Sequence, residues 1–308
     1  MMHQPSDRLQ AMPGPAYLTP EWHAKHLTNL TASRAGGICN VSEYTTPYHI
    51  YAEMTGLVAP FEGNAATETG HIYEPAIIAD YCRITGVQVD RPLPMFFHPT
   101  IPYLAATPDG QVVGKGTLVE AKWTLSPKRA AELGEEGSDR VPDDWMLQGQ
   151  AQLDTMVATE CDFAVLLYGR LKIYHVVRND DLIDLYHYAA AELWQRIQDR
   201  RPPEPTWTHP KTPELIKALH GAVNDETVVL SEETAEVWAR YRTLSGMAIG
   251  IKNRAEAEKA KVLHVMGNAG KGIFPDGQIE LVRSVQNRKG YSVEPTNFIT
   301  LREKKVKQ

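Results

Sequence analysis

Residues 107–123 have the sequence TPDGQVVGKGTLVEAKW, in which a turn signal leads into a strand-like run. Pro108-Asp-Gly110 is typical of a tight turn, and the alternation over Thr117–Trp123 predicts a β-strand. Because side chains alternate between the two faces of a strand, Glu120 and Lys122 lie on one face of it. An acid and a lysine two positions apart therefore follow the turn aspartate by eleven residues.

These charged side chains can form a compact cation site. Asp109 and Glu120 supply hard oxygen ligands of the kind that Mg²⁺ prefers, with the backbone carbonyl of Ala121 as a further ligand. Lys122 would stand beside a metal-bound water, where it can orient the water and balance charge that develops on a phosphate. The alternative is an exposed strand with one surface ion pair, and the spacing alone leaves both open.

Two predicted helices flank this strand with polar groups. Residues 70–86 have apolar side chains at spacings of three and four, and Glu74 lies near the start of this helix. A second helix is predicted from Asp143 to about residue 158, and on it Gln148 and Gln152 share one face. An amide both donates and accepts hydrogen bonds, so it can hold a phosphate or a water without changing charge. Solvated helix surfaces are the alternative for all three side chains.

The remaining elements predict an α/β fold. Two strands, at 163–168 and 171–177, and a helix at about 181–200 follow, and together they indicate a central mixed sheet flanked by helices. Five prolines in residues 201–213 predict a stiff, extended linker after this core. Residues 1–15 are polar and contain prolines, so we expect a loose leader before a core of residues 16–200.

Residues 214–308 are expected to form a helical and β appendage that serves DNA binding or assembly. Ser231 opens a long helical pattern with a heptad-like apolar stripe up to Met266, and short alternating runs after it predict a small β element. Residues 1–230 carry 18 basic and 29 acidic side chains, whereas residues 231–308 carry 14 and 9. A basic segment suits a polyanion, although solvated helix charge is the simpler explanation of charge alone.

The composition narrows the class of protein. Apolar residues make up 43% and charged residues 23%, which is typical of a soluble protein with its own core. The longest apolar run, residues 163–168, is too short to cross a bilayer. Cys39, Cys82 and Cys161 form no C-x-x-C pair, so we expect buried thiols in a reducing cytoplasm. The histidines show no metal-ligand spacing, and no phosphate-binding loop of a nucleotide-driven motor occurs.

Several segments, taken in their order along the chain, resemble the PD-(D/E)XK nucleases, and within them the group of phage lambda exonuclease and the YqaJ-type viral recombinases. The resemblance covers about residues 20–200, and its segments are specific together rather than singly. They are Trp22 with Thr31-Ala-Ser33, Tyr44-Thr-Thr-Pro47, Gly70-x-x-Tyr-Glu74, Thr107-Pro-Asp-Gly110, Glu120-Ala-Lys122 and Gln148-x-Gln150.

The resemblance implies a PD-(D/E)XK nuclease core and a Mg²⁺-dependent exonuclease, with Mn²⁺ as a substitute, that digests linear double-stranded DNA from 5′ to 3′. The 3′ overhangs would serve phage-type recombination with a single-strand annealing protein in the cytoplasm of a bacterial host, from a phage or prophage gene. It also implies a homo-oligomer, with a ring-shaped trimer favoured, and no membrane. The site residues that it implies are Glu74, Asp109, Glu120, Lys122 and Gln148 for catalysis, with Ser33 and Thr107 in a pocket for the 5′-phosphate.

One position departs from the family pattern. Four residues after Trp22, where the family has an arginine that holds the 5′-phosphate, this chain has His26. Arginine offers a bidentate, permanently charged grip and neutral histidine a single donor, so either the preference for 5′-phosphate is weaker or Lys25 or Arg34 supplies the charge. An unperturbed imidazole gains a proton below about pH 6.5, which predicts a preference that sharpens there.

Two other functions stay open at this point. A structure-specific or restriction-type endonuclease of the same superfamily would use the same residues. A non-catalytic DNA-binding scaffold would use the heptad-like stripe, although a scaffold has no need for clustered acids. The iron–sulfur branch of the superfamily needs four cysteines, and the chain has three.

Overall fold

A computed structural model describes residues 10–222 and 225–284. The chain divides into two compact units, Met1–Gly221 and Ala222–Gln308. No helix in the described part of the chain is long and apolar enough to cross a membrane. The α-helices of the described residues are α1 (Pro20–Thr28), α2 (Ala35–Ile38), α3 (Pro47–Met54), α4 (Ala65–Thr85), α5 (Pro127–Glu132), α6 (Asp143–Thr155), α7 (Asp180–Gln198), α8 (Thr212–Leu219) and α9 (Glu232–Met266), and a 3-10 turn spans Ala32–Arg34.

The strands of the described residues form three sheets. They are β1 (Met12–Pro13), β2 (Leu30–Thr31), β3 (Val89–Asp90), β4 (Phe96–Phe97), β5 (Leu104–Ala106), β6 (Gly110–Val112), β7 (Leu118–Thr124), β8 (Glu160–Leu167), β9 (Arg170–Val177), β10 (Lys271–Ile273) and β11 (Glu280–Val282).

The five-stranded sheet of the first unit has the order β3-β6-β7-β8-β9. The β7–β8 pair is parallel and the other three pairs are antiparallel, so the predicted mixed sheet is confirmed. Helix α6 supplies the connection between the parallel strands, because such a crossover needs a helix-length segment. Strand β7 lies at the centre of the sheet and carries the charged pair that the sequence singled out.

Helices cover both faces of this sheet. On one face, Ile77 and Tyr81 of α4 pack with Val119 of β7 in a buried cluster. On the other face, Leu153 of α6 packs with Phe163 of β8. Gly149 of α6 faces that ring, since a Cβ there would lie 2.9 Å from it. The absent side chain therefore lets α6 approach the sheet closely enough for its amides to reach β7.

A smaller sheet of the first unit has the order β1-β4-β5-β2. Its strand β1 belongs to the segment that we expected to be a loose leader. Met12 and Pro13 instead pair with Phe97 and Phe96 in an antiparallel register. The first nine residues of the expected leader lie outside the described residues.

The end of the first unit also differs from the expected boundary. The proline-rich segment 201–213 packs against the core, where Thr206 Oγ1 donates to Asn40 Oδ1 at 2.9 Å. Helix α8 follows it, and Leu215 of that helix is buried. Because α8 stays with the core, the division falls after Gly221 and not within the prolines.

The second unit contains the predicted long helix and the predicted small β element. Helix α9 spans 35 residues, and the Ser231 side chain caps it by accepting from the backbone N–H of Thr234. Strands β10 and β11 pair antiparallel as a hairpin. Apolar side chains of the stripe on α9 are exposed, with Leu244 at 66% and Ile251 at 64%. The structure therefore leaves much of the stripe in contact with solvent.

Candidate active site

Glu120, Lys122 and Gln148 form a closed hydrogen-bonded triangle on the α6 side of the sheet. The Lys122 Nζ donates to Glu120 Oε1 at 2.7 Å and to Gln148 Oε1 at 2.9 Å. The Gln148 Nε2 donates to the same Glu120 oxygen. Glu120 is only 3% exposed, so these hydrogen-bond donors, rather than water, stabilise its negative charge.

Gln152 completes the environment of Glu120, although it was not among the expected catalytic residues. Its Nε2 donates to Glu120 Oε2 at 2.7 Å, which leaves both carboxylate oxygens with donors. Its own Oε1 is buried and has no hydrogen-bond partner among the described residues. The signal for Gln152 was its i,i+4 spacing from Gln148, because side chains at that spacing share a helix face.

Asp109 lies beside this triangle, at the turn between β5 and β6. Its Oδ2 accepts the backbone N–H of Ala121 at 2.8 Å, and this bond ties the turn to β7. Burial raises the pKa of Asp109 well above its usual range, and the nearby carboxylates of Glu120 and Glu74 raise it further. Carboxylates that are buried close together repel one another, and a bound cation would relieve this repulsion.

Glu74 joins the group from α4. It lines the same small cleft as Asp109 and Thr107, and its Oε1 accepts from Arg91 Nη2 at 2.6 Å. The sequence offered no signal for Arg91, which lies 17 residues from its partner. The guanidinium partly neutralises Glu74 before any cation binds.

Lys122 keeps its charge in this setting. Burial alone would lower the pKa of its ammonium, but the carboxylates of Glu120 and Asp109 outweigh burial and raise the pKa. The lysine is therefore a permanent cation and donor at neutral pH. It suits the orientation of a water or a phosphate, whereas proton abstraction would need the neutral amine.

The donor set fits a divalent, oxygen-preferring metal. Glu74, Asp109 and Glu120 offer carboxylate oxygens from three different elements, and such oxygens are the ligands that Mg²⁺ prefers. The raised pKa of Asp109 indicates electrostatic strain that a cation would relieve. The role of the Ala121 carbonyl as a further ligand stays a prediction.

Three of the residues expected to hold a 5′-phosphate, His26, Ser33 and Thr107, lie around Trp22. The Trp22 Nε1 donates to Thr107 Oγ1 at 3.0 Å, and the indole stacks on the His26 ring with centroids 4.9 Å apart. The His26 Nε2 lies 3.4 Å from Ser33 Oγ and 3.4 Å from Thr31 Oγ1. These neutral hydroxyls and the imidazole form one patch next to the cleft.

The charge of this pocket differs from the expectation for His26. Burial lowers the pKa of His26 to about 4, and Arg34 and His23 lower it further. The predicted sharpening of 5′-phosphate preference below pH 6.5 therefore has no basis in this pocket, because the imidazole stays neutral there. Lys25 is exposed on α1, and no hydrogen bond or ion pair links it to the patch within the described residues.

Of the two proposed substitutes, Arg34 is the one whose charge acts on His26, since it lowers the pKa of that ring. It is 9% exposed and pairs with Glu53 at 3.4 Å. Its Nη1 is buried without a hydrogen-bond partner among the described residues. That Arg34 supplies the charge for a 5′-phosphate stays a prediction, and its unused donor is available for a charge-assisted hydrogen bond.

A second polar cluster lies behind α6 and has a different character. His98, Asp154 and His187 have potential ligand atoms within 4.8 Å of one another. The His98 Nδ1 accepts the backbone N–H groups of Thr100 and Ile101, which places the ring proton on Nε2, where it points at Asp154.

The ring proton on His98 Nε2 and a neighbouring guanidinium make this cluster unfavourable for a metal ion. The Arg178 Nη2 donates to Asp154 Oδ1 at 3.0 Å, and His187 lies 2.7 Å from Asp154 Oδ2. Burial alone would raise the pKa of Asp154, but these donors outweigh it and lower that pKa. The cluster therefore ties α6 to α7 and to the end of β9 by hydrogen bonds. Sequence spacing did not predict it, because its members are far apart in the chain.

Comparisons with known proteins agree with this architecture. Residues 21–162 match the model of the YqaJ-like viral recombinase domain. The protein named uncharacterized protein YqaJ of Bacillus subtilis (strain 168) is 23% identical over 273 residues, which cover 87% of this chain and 84% of that protein.

Two crystal structures of one enzyme are also similar. The alkaline exonuclease LHK-Exo from Laribacter hongkongensis is 24% identical with a TM-score of 0.50, over 59% of this chain and 94% of that one. Its complex with dAMP is 22% identical with a TM-score of 0.48, over the same shares of 59% and 94%. The first likeness shows that the mixed sheet flanked by helices is a fold shared with that structure. Residues 21–162 are thus similar to the YqaJ-like viral recombinase domain, a match over somewhat less than half of the chain.

Proposed function

We propose that this protein is a Mg²⁺-dependent exonuclease that digests linear double-stranded DNA from its 5′ ends. Mn²⁺ would substitute for Mg²⁺, and the 3′ single strands left behind would serve recombination by single-strand annealing. The observation that carries the proposal is the convergence of Glu74, Asp109 and Glu120 with Lys122 and Gln148. The likeness of residues 21–162 to the YqaJ-like viral recombinase domain and the fold shared with an alkaline exonuclease support it.

The chain's own residues account for the parts that phosphodiester hydrolysis requires. Mg²⁺, when bound, would activate water and neutralise charge on the phosphate. Asp109 and Glu120 would hold the cation, with Glu74 supporting it or its waters. Lys122 donates towards the same point and balances negative charge as it develops. The Gln148 amide can turn to hold either a water or a phosphate oxygen.

The patch around Trp22 would give the enzyme its preference for an end. Thr107 belongs both to this patch and to the cleft of Glu74 and Asp109, so a bound terminal phosphate would lie next to the metal carboxylates. Ser33 and His26 supply further neutral hydrogen-bonding groups, and Arg34 lies close enough to lower the pKa of His26. This adjacency suits cleavage close to a DNA end.

The test uses linear duplexes with one 5′ label or one 3′ label, and closed circular duplex as the competing substrate. With Mg²⁺ we expect early release of the 5′ label as a mononucleotide, slow shortening from the other label, and intact circles. EDTA should stop the reaction. Cleavage of closed circles would identify an endonuclease instead, and binding without cleavage in either metal would identify a scaffold.

For the second unit we propose DNA binding or assembly, with the ring-shaped trimer and an annealing protein as its partners. Basic residues, among them Lys252, Arg254 and Lys259, lie on α9 with its exposed stripe, and Lys259 pairs with Glu256 at 3.5 Å. An exposed apolar stripe of this length suits a partner surface, and the basic residues beside it suit DNA phosphates.

A chain that ends at Gly221 tests this role. It should cleave short duplexes normally with Mg²⁺ and lose processivity on long duplexes or tolerance to salt. Sedimentation of both proteins should show whether the trimer needs the second unit. A shortened protein that digests long DNA as processively as the full chain, with the same mass in solution, would contradict the proposed role.

A further inference from the structure

An N-terminal segment outside the matched domain reaches the candidate active site. The strand pairing of Met12 and Pro13 continues through Gly14, whose N–H donates to Met95 O at 2.7 Å, and Pro15, whose carbonyl accepts the Met95 N–H at 2.9 Å. A Cβ at Gly14 would lie 2.5 Å from the Phe97 ring, so the close approach requires glycine. The segment is therefore fixed just before Tyr17.

Tyr17 lies between the two halves of the site. Its ring packs edge-on against Trp22, with centroids 5.5 Å apart at an interplanar angle of 88°. It also lines the small cleft that contains Glu74, Thr107 and Asp109. Its ring is half-buried, and its hydroxyl makes no hydrogen bond within the described residues. A hydroxyl in this position is available to a substrate.

The chemistry of the cleft indicates what the hydroxyl would contact. Two of the other groups that line it are carboxylates, which repel a phosphate unless a cation lies between them. A phenol has an ordinary pKa of about 10, so at neutral pH it is a neutral donor that adds no negative charge. Burial and the nearby carboxylates raise its pKa further, which keeps the proton in place.

We propose that Tyr17 is a substrate-contacting residue, whose hydroxyl donates a hydrogen bond to an oxygen of the phosphate that is cleaved. This proposal rests on the proposed nuclease function. It makes the N-terminal strand part of the active site, because that strand fixes the position of the ring. It also extends the site beyond residues 21–162.

The test compares Tyr17→Phe with the full-length wild type and with Tyr188→Phe. The first variant removes only the hydroxyl and keeps the contact with Trp22. The second is the matched control, since Tyr188 is 76% exposed on α7. Each protein is measured with 5′-phosphorylated and 5′-hydroxyl linear duplexes over a titration of Mg²⁺, and its thermal melting is recorded.

We expect Tyr17→Phe to lower kcat by about 10- to 100-fold, as for one hydrogen bond to a charged group. The ratio between the two kinds of end, the Mg²⁺ midpoint and the melting temperature should stay as in the wild type. Tyr188→Phe should match the wild type throughout.

Three results would overturn the proposal, each in a different way. Wild-type kcat in Tyr17→Phe would show that the hydroxyl contacts no reacting group. A loss that comes with a shifted Mg²⁺ midpoint would assign the phenol to the carboxylates, and a loss confined to 5′-phosphorylated ends would assign it to the terminal phosphate. A wild-type protein without Mg²⁺-dependent cleavage would instead refute the proposed function itself.

Discussion

Replacement of Gln152 by methionine should separate the activity of this protein from its stability. Methionine is close to glutamine in shape and cannot donate to Glu120. Gln152 is 1% exposed, so the volume of the side chain has to be kept in any such test. The hydrogen bond that is lost is 2.7 Å long and reaches the carboxylate that we assign to the metal.

Two effects on stability oppose each other in this variant. A hydrogen bond to a charged group contributes about 1.5–3 kcal/mol, and the variant loses it. Methionine also removes the buried Oε1 that has no partner among the described residues, and such an acceptor costs about 1–3 kcal/mol. The free energy of unfolding should therefore change by no more than about 2 kcal/mol.

No second effect of the substitution offsets its expected effect on activity. Without the amide, Glu120 Oε2 loses the donor that fixes its orientation towards the metal. Loss of the hydrogen-bonding partner of a metal ligand typically costs about 10- to 100-fold in metal affinity or activity. We expect the Mg²⁺ concentration for half-maximal digestion of linear duplex to rise by that factor, with little change in thermal or urea unfolding.

Gln150 provides the matched control on the same helix. Its Nε2 donates to Val177 O at 2.8 Å, and its Oε1 accepts the Asn179 N–H at 2.7 Å. Gln150→Met removes both of these part-buried hydrogen bonds, which should cost about 1–3 kcal/mol in unfolding free energy. Below its melting temperature, the Mg²⁺ midpoint should stay unchanged. An unchanged Mg²⁺ midpoint in Gln152→Met, or a shift of the midpoint by the same factor in Gln150→Met, would refute the reasoning.

Three further predictions follow from the same structure. Glu120→Gln and Lys122→Ala should lower the rate of hydrolysis by at least about 100-fold. Duplex binding in a filter assay should change little, since most affinity comes from distributed phosphate contacts. Near-normal turnover of either variant would show that these residues do not belong to the active site. Because the pKa of His26 is about 4, the preference for 5′-phosphorylated ends should stay constant between pH 5 and 8, and a transition near pH 6.5 that His26→Ala abolishes would contradict the pocket described above. The folded-state pKa of Asp154 lies below its unfolded value of about 3.9, so the stability that its hydrogen bonds add is complete above pH 4 and is lost as the pH falls through the folded value. In urea unfolding, the difference in unfolding free energy between the wild type and Asp154→Asn should therefore shrink on acidification. A difference that stays constant down to pH 3 would disprove the linkage.

Local patterns were enough to predict the elements that carry the candidate site. Strand alternation placed Glu120 and Lys122 on one face, and the structure finds them hydrogen-bonded to each other there. Helical spacing placed Gln148 and Gln152 on one face of α6, and both reach the same carboxylate. These predictions succeeded because strand and helix geometry repeat over two to four residues, a distance over which sequence alone is informative.

Contacts between distant segments follow from packing, and no local pattern contains them. Arg91 neutralises Glu74 because the chain between them folds back along α4, and the pKa of His26 falls because Trp22 and its neighbours exclude water from the ring. The first strand shows the same limit: two residues of a polar, proline-containing segment were predicted to be loose and instead pair with β4. Backbone pairing of this kind needs no apolar pattern, because N–H and C=O groups occur at almost every residue. A segment without a recognisable sequence pattern can therefore place an aromatic ring, here Tyr17, in a site. The chemistry of that side chain, rather than the pattern around it, determines what it can do there.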